Sequence, residues 1–243
     1  MTSKTRLAEL VRSFDAAGVA AALAESPPLL DYRDERGRNW LHLCCATDIK
    51  GDPERAAASI RTAEVLIGLG LDKDSVAFTE GAWKATAVWY AVGRGGNLPL
   101  IAHLLQLGCN PNYCLFATVW NRNLDAMRLL IRHGAVVDDP SSGGTPFLGA
   151  IEWSRFAEAE ELLKHGADVN ARTAKGLTAL HLMLKKNSDK RHFGMLLAYG
   201  ARGDIPGPDG DTAIQIMRRK RDPDVRRLAD SLERSRKPDA AAT

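Results

Sequence analysis

Long apolar runs are missing from this 243-residue chain: none approaches the ~20 residues that cross a bilayer, so no membrane-spanning helix is expected. The amino terminus, Met1-Thr-Ser-Lys-Thr-Arg-Leu-Ala-Glu-Leu, carries Glu9, with Arg12 and Asp15 close behind. A secretory leader needs an unbroken apolar stretch there, so a cytoplasmic protein is expected. Cysteine is scarce. Of the four, Cys44 and Cys45 are adjacent, Cys109 and Cys114 flank a loop, and none forms a Cys-x-x-Cys pair. That spacing supports neither a zinc site nor a dithiol, and leaves small buried packing residues in a reducing compartment. Catalytic signatures are absent too: there is no His-Glu-x-x-His, no Gly-x-Ser-x-Gly and no Asp/Glu pair at ligand spacing. Gly93-Arg-Gly-Gly96 lacks the preceding strand and the Lys-Ser/Thr of a phosphate loop and reads as a turn between helices. No catalytic, cofactor-binding or metal residue is expected, and no enzyme.

What the chain has instead is self-similarity. Gly144-Thr-Pro-Phe-Leu-Gly-Ala-Ile151 is followed by Leu162-Leu-Lys-His-Gly-Ala-Asp-Val-Asn170, and Gly176-Leu-Thr-Ala-Leu-His181 by Leu196-Leu-Ala-Tyr-Gly-Ala201. Thr145 can cap a helix whose first position, Pro146, has its φ pre-set. Phe147, Leu148, Ala150 and Ile151 supply an apolar face at helical spacing, and Leu162 and Leu163 supply another. Gly166 tolerates the left-handed conformation that ends a helix. Repetition at this spacing implies stacked two-helix units, each burying its apolar face only against its neighbours.

These motifs resemble the ankyrin repeat, whose pattern is roughly Asp-x-x-Gly-x-Thr-Pro-Leu-His-x-Ala-Ala followed by Leu-Leu-x-x-Gly-Ala-Asp-Val-Asn. Further copies read Asp34-Glu-Arg-Gly-Arg-Asn-Trp-Leu-His-Leu-Cys-Cys45 with Thr62 to Asp72, and Thr86-Ala-Val-Trp-Tyr-Ala91 with Leu104 to Asn112. Ala126 to Asp138 closes another, and Pro208-Asp-Gly-Asp-Thr-Ala-Ile214 opens a final, atypical unit. The resemblance implies an all-α ankyrin-repeat solenoid of helix-turn-helix units with short hairpin or turn tips. A single domain is expected over residues 5–233: an N-terminal cap at 5–33, repeats at 34–75, 76–112, 113–138, 139–171 and 172–204, and a C-terminal cap at 205–233. The cap helices are expected to break near Ala17-Gly18, and the tail 234–243 to be disordered.

Three departures from the pattern stand out. Residues Thr47 to Arg55 insert extra chain between paired helices, expected as a loop. Only Tyr113 separates Asn112 from the next helix, so one tip is missing. The turn at Gly93–Gly96 carries one residue too many.

The resemblance assigns His42 and His181 to the position whose imidazole hydrogen-bonds loop backbone. His133 and His165 precede closing glycines, where a helix C-terminus favours positive charge. Trp40 and Trp89 lie in helix-opening motifs and are expected in the core. Trp120 and Trp153, 33 residues apart at the ends of first helices, fall by family alignment on the concave surface, with Trp83 in a hairpin tip. Tryptophan is enriched in interface hot spots. Around them Arg36 and Arg38, with Arg33, then Arg94, Glu152, Lys175 and Lys185, with Lys186, would form a polar rim.

A monomeric, non-catalytic module that binds a protein or peptide on the concave face is the expected function, whether as adaptor or scaffold. The alternatives are regulation or inhibition of a separate enzyme, and binding of nucleic acid or an acidic partner by the basic end. From Lys185 to Lys237, 14 Lys/Arg stand against 8 Asp/Glu, while the whole chain carries only +3. Asp222, Asp224 and Asp230 are interspersed among those arginines, which disfavours nucleic acid.

Overall fold

Short polar side chains open most of the helices and glycines close the second helix of each repeat, and the structure, a computed structural model, shows this over the described residues 2–234. The chain divides into two units, one up to Val136 and one from Val137 onward. The expected disordered tail lies, beyond Arg234, outside the described residues.

The first unit begins with α1 (Lys4–Ser13) and α2 (Ala16–Glu25). The break between them falls at Phe14–Asp15 rather than at Ala17-Gly18: Phe14 takes a left-handed φ of 59°, and Asp15 caps α2 by accepting from the Gly18 amide at 2.8 Å. Gly18 is therefore helical, and it is small because Leu10 packs against it. Then come α3 (Trp40–Ala46), α4 (Pro53–Gly68), an antiparallel hairpin of β1 (Val76–Glu80) and β2 (Trp83–Thr86), and α5 (Ala87–Tyr90). A π-helical turn, Ala91–Gly95, leads to α6 (Leu98–Gln106), followed by α7 (Leu115–Asn121) and α8 (Leu124–Arg132). The second unit contains α9 (Pro146–Glu152), α10 (Phe156–Lys164), α11 (Ala179–Lys185), α12 (Phe193–Ala198), α13 (Ala213–Arg219) and α14 (Pro223–Arg234).

First helices are only seven residues long in α3, α7, α9, α11 and α13. An isolated helix below ~12–15 residues is marginal in water, so burial must hold them. Every residue of α9 from Pro146 to Ile151 is buried. Capping helps locally: Thr145 accepts from the Leu148 amide at 3.3 Å, and Thr212 from the Gln215 amide at 3.2 Å. Such a cap is worth about 1 kcal/mol. The second helices α6, α8 and α10 each have nine residues and bury one face, with Leu104, Leu130 and Leu162 at its centre.

A polar ladder links successive turns within each unit. Asp74 accepts from the Asn110 amide at 2.7 Å, and Asn112 from the Val136 amide at 3.0 Å. In the second unit Asp138 accepts from the Asp168 amide at 2.9 Å, and Asn170 from the Arg202 amide at 2.7 Å. These positions are the Asp and Asn of the closing motif, so its polar residues bind one repeat's turn to the next.

The three departures take definite form. Of the insertion, residues 47–52 form a loop, while Pro53 onward extends α4 to 16 residues. The expected loop is thus partly helix, because Asp52 caps it and Pro53 occupies its first position. Its Arg55 guanidinium lies 5.0 Å above the Phe14 ring. Tyr113 adopts a positive φ of 70° and leads into α7 with no hairpin tip. The extra residue near Gly93 is absorbed as the π turn, which widens the helix by one residue.

Candidate protein-binding face

His42 and His181 hold loop backbone in place, and the four cysteines are buried. His42 is fully buried; Nδ1 meets Asn39 and Nε2 meets the Ser75 carbonyl at 3.0 Å, so it ties α3 to the next tip. Burial lowers its pKa to about 4, the Ser75 contact opposing only in part. His181 repeats the arrangement with Thr178 and the Asp211 carbonyl, at 2.8 and 3.1 Å. All four cysteines are buried, and burial raises the Cys44 thiol to about 12 and Cys109 to about 11. Thiols held that far above neutrality are protonated and unreactive. Among the described residues no three His, Cys, Asp or Glu side chains are grouped to hold a metal. No helix among them is long and apolar enough to cross a membrane.

In the first unit the tip at residues 34–38, the hairpin and the α5–π segment enclose an open cleft of about 850 Å³. Its walls include Arg36, Arg38, Arg94, Phe78, Trp89 and Glu35. Gly37 lets the tip approach the hairpin: with a φ of +72°, a Cβ there would meet the Ala77 carbonyl oxygen at 2.0 Å. Arg38 pairs with Asp34 at 2.7 Å. Burial pushes the Asp34 carboxyl up, but hydrogen bonds from the Arg38 side chain and from the Arg38 and Arg36 amides outweigh it and hold the pKa low. Arg36 and Arg94 are exposed and have no carboxylate partner among the described residues.

The aromatic wall of the cleft is held edge to face. Trp83 meets Phe78 and Trp89 at centroid distances of 5.5 and 5.0 Å, and Trp89 meets Tyr90 at 5.1 Å. The Trp83 indole N–H donates to the Tyr113 carbonyl at 3.1 Å. Trp83 is consequently half-buried and braces the wall from behind. Trp40 is core, as expected, but Trp89 is only half-buried and faces the cleft. Its motif position suggested a core residue. Phe78, 41% exposed on that hairpin, was not singled out from sequence, although its place in a strand before Gly81 was a readable signal.

Trp120, at the end of α7, is 65% exposed in the first unit; Trp153, which ends α9, is 36% exposed in the second. Also in the second unit, Glu152, Lys175 and Lys185 are exposed. Lys186 donates to the Glu152 carbonyl and, at 3.0 Å, to Ser154, which ties the ends of α9 and α11 together. At the basic end, Arg218 pairs with Glu233, Arg219 with Asp211, Arg227 with Asp224, and Lys190 with Asp222 and Asp224.

Short first helices, glycine-closed second helices and turns joined by Asp and Asn form one recurring unit, and the family model for ankyrin repeats matches three copies of it over residues 88–173. Residues 88–173 carry ankyrin repeats. It is similar to the B-cell lymphoma 3 protein homolog of Mus musculus, 31% identical over 105 residues. That match covers 42% of this chain and only 23% of the relative's length. The crystal structure of the Bcl-3 ankyrin repeat domain, titled a unique member of the IkappaB protein family, superposes with a TM-score of 0.69 at 20% identity, covering 95% of this chain and all of that one. The human ASB11 ankyrin repeat domain superposes with a TM-score of 0.68 at 19% identity, over 98% of this chain and 100% of its own. Likeness at such low identity carries the fold. Ankyrin repeats are in general protein–protein interaction modules, so the tips and first helices are where a partner is sought.

Proposed function

We propose that this chain is a non-catalytic, cytoplasmic binding module, monomeric by itself, that takes a protein or peptide partner on the face made by its repeat tips and first helices. The observation that carries this reading is the exposure of Trp120, at 65%, on a first helix whose Leu115 and Val119 are buried. A large aromatic side chain with most of its surface in water is the usual anchor of an interface. Trp153 is its counterpart in the second unit. Arg36, Arg38 and Arg94 beside the Trp83-braced wall, and Glu152, Lys175 and Lys185 in the second unit, supply the polar rim. The alternative at the basic C-terminal end is weakened by the ion pairs that occupy Arg218, Arg219, Arg227 and Lys190.

Capture from a native cell lysate by wild type and by a Trp120→Ala/Trp153→Ala variant tests this reading. A protein held by wild type and lost from a variant of unchanged far-UV circular dichroism is the expected result. Equal retention by both would reject the tryptophans as anchors.

A further inference from the structure

We infer that the first-unit cleft between Arg36 and Arg94 is a docking site for an extended acidic peptide, in which carboxylates flank an apolar side chain. The inference rests on the protein-binding reading and names the chemistry of the partner. Three observations carry it. The first is charge. Arg38 is already matched by Asp34 at 2.7 Å, while Arg36 on the tip and Arg94 on the π turn both line the cleft, exposed and without a carboxylate partner among the described residues. Guanidinium groups placed this way receive carboxylates through paired N–H donors. Arg38 also lines the neighbouring smaller cleft of about 280 Å³, where Lys4 and Arg12 extend the basic track.

The second observation is the wall between the arginines. Trp89 is clamped on two sides by Trp83 and Tyr90, at interplanar angles of 78° and 85°, and Phe78 stands beside them. Its exposed part is a rigid apolar surface that an arriving side chain can cover with little further ordering. The third is the π turn that carries Arg94. One extra residue in a helical turn rotates the downstream residues by about 100°, and such turns are frequent at functional sites. Here the turn is held from both sides. Asn121 donates to the Val92 and Gly93 carbonyls at 2.9 and 3.3 Å, while a Cβ on Gly95 would meet the Cys45 carbonyl oxygen at 2.2 Å. The neighbouring helices thus fix the backbone on which Arg94 is presented.

A peptide fits better than a nucleic acid. Asp34 and Glu35 sit on the same tip as Arg36, where an unbroken run of phosphates would meet them. The aromatic rings pack against one another edge to face instead of standing as an open stacking platform.

Fluorescence anisotropy with the full chain tests the inference, using labelled synthetic dodecapeptides that alternate Leu with Glu, with Gln or with Lys, and a single-stranded RNA of similar length. The Glu peptide should bind at least tenfold tighter than the Gln peptide at low salt and weaken as salt screens it. Arg36→Glu/Arg94→Glu should lose that binding by more than tenfold and turn the preference toward the Lys peptide. Because both arginines are exposed and have no carboxylate partner, circular dichroism should not change. Arg36→Lys/Arg94→Lys should fall between the two, since the charge remains and the fork is lost. Equal binding of Glu and Gln peptides, or unaltered binding by the charge-reversed variant, would overturn the inference. So would displacement of the Glu peptide by equimolar RNA. If no acidic peptide binds while capture through Trp120 and Trp153 persists, this inference fails and the protein-binding reading stands; if neither occurs, both fail.

Discussion

The stretch from Gly144 to Asn170 and the stretch from Val76 to Asn112 follow one pattern to different ends. In the former, Thr145 and Pro146 start α9, Gly166 closes α10 with a φ of +89°, and each side chain does the work the pattern assigns. In the latter, a two-stranded hairpin replaces the short tip, Trp89 stands where a histidine would tie the next loop, and a π turn separates α5 from α6. Yet the buried leucines are equivalent: Leu104 and Leu162 are both fully buried. The apolar stripe is common to both repeats, while departures gather where the chain faces solvent. Those departures together build the cleft.

The most forceful way to break the comparison is to attack what the two repeats share. Leu104→Ala and Leu162→Ala should each cost about 2–5 kcal/mol in urea unfolding, the range for a buried leucine that leaves a cavity. If only the regular repeat is sensitive, the irregular one is not held by its core. Next comes His42, whose folded pKa of about 4 lies below its ordinary 6.5 because burial disfavours the charged ring. As pH falls below 6.5 the unfolded chain takes up the proton first, so stability declines from there to pH 4 and then levels. The full loss is about 3 kcal/mol, at 1.36 kcal/mol per pKa unit. Urea midpoints measured at about pH 7 and about pH 4.5 should differ less in His42→Gln than in wild type. An unchanged slope would mean that the imidazole is not held neutral.

The smallest effects sharpen the comparison. Gly95→Ala forces a Cβ to 2.2 Å from the Cys45 carbonyl oxygen and should cost about 1–3 kcal/mol by overpacking. Gly166→Val meets nothing within 4 Å, so its cost, about 1–2 kcal/mol, is backbone strain at positive φ alone. Gly166→Asn should recover part of that loss, because asparagine tolerates the left-handed region. Gly95→Asn should recover none. The same replacement thus separates a glycine needed for φ from one needed for space.

How much of this was legible depends on the range of the interaction. The helix pairs, their caps and their closing glycines could be read directly, because Thr145, Pro146 and Gly166 act on backbone within three residues of themselves. The missing tip at Tyr113 and the surplus residue at Gly93–Gly96 were also legible, as breaks in period. Their conformations were not: the π turn exists because Cys45 and Asn121, far off in sequence, grip it. The insertion after Thr47 was visible, but its conversion into an extension of α4 depended on Asp52 and Pro53 starting the helix early. For the binding face, Arg36, Arg38 and Arg94 could be nominated as charged residues near tips, and Trp120 and Trp153 from their period. Phe78 and Trp89 entered only with the hairpin, whose length decides what it covers.

By itself the sequence determined the repeat and where its helices start and stop, since these rest on local capping and on the spacing of apolar side chains; the duty of His42 and His181 was implied by the family resemblance, the carbonyls they tie lying 33 and 30 residues away. Only the tertiary structure decided which charges remain unmatched and which aromatics stay in water. Pairing and burial are set by groups that meet across the fold: Arg38 has a carboxylate partner and Arg36 does not, though both flank Gly37 on one tip.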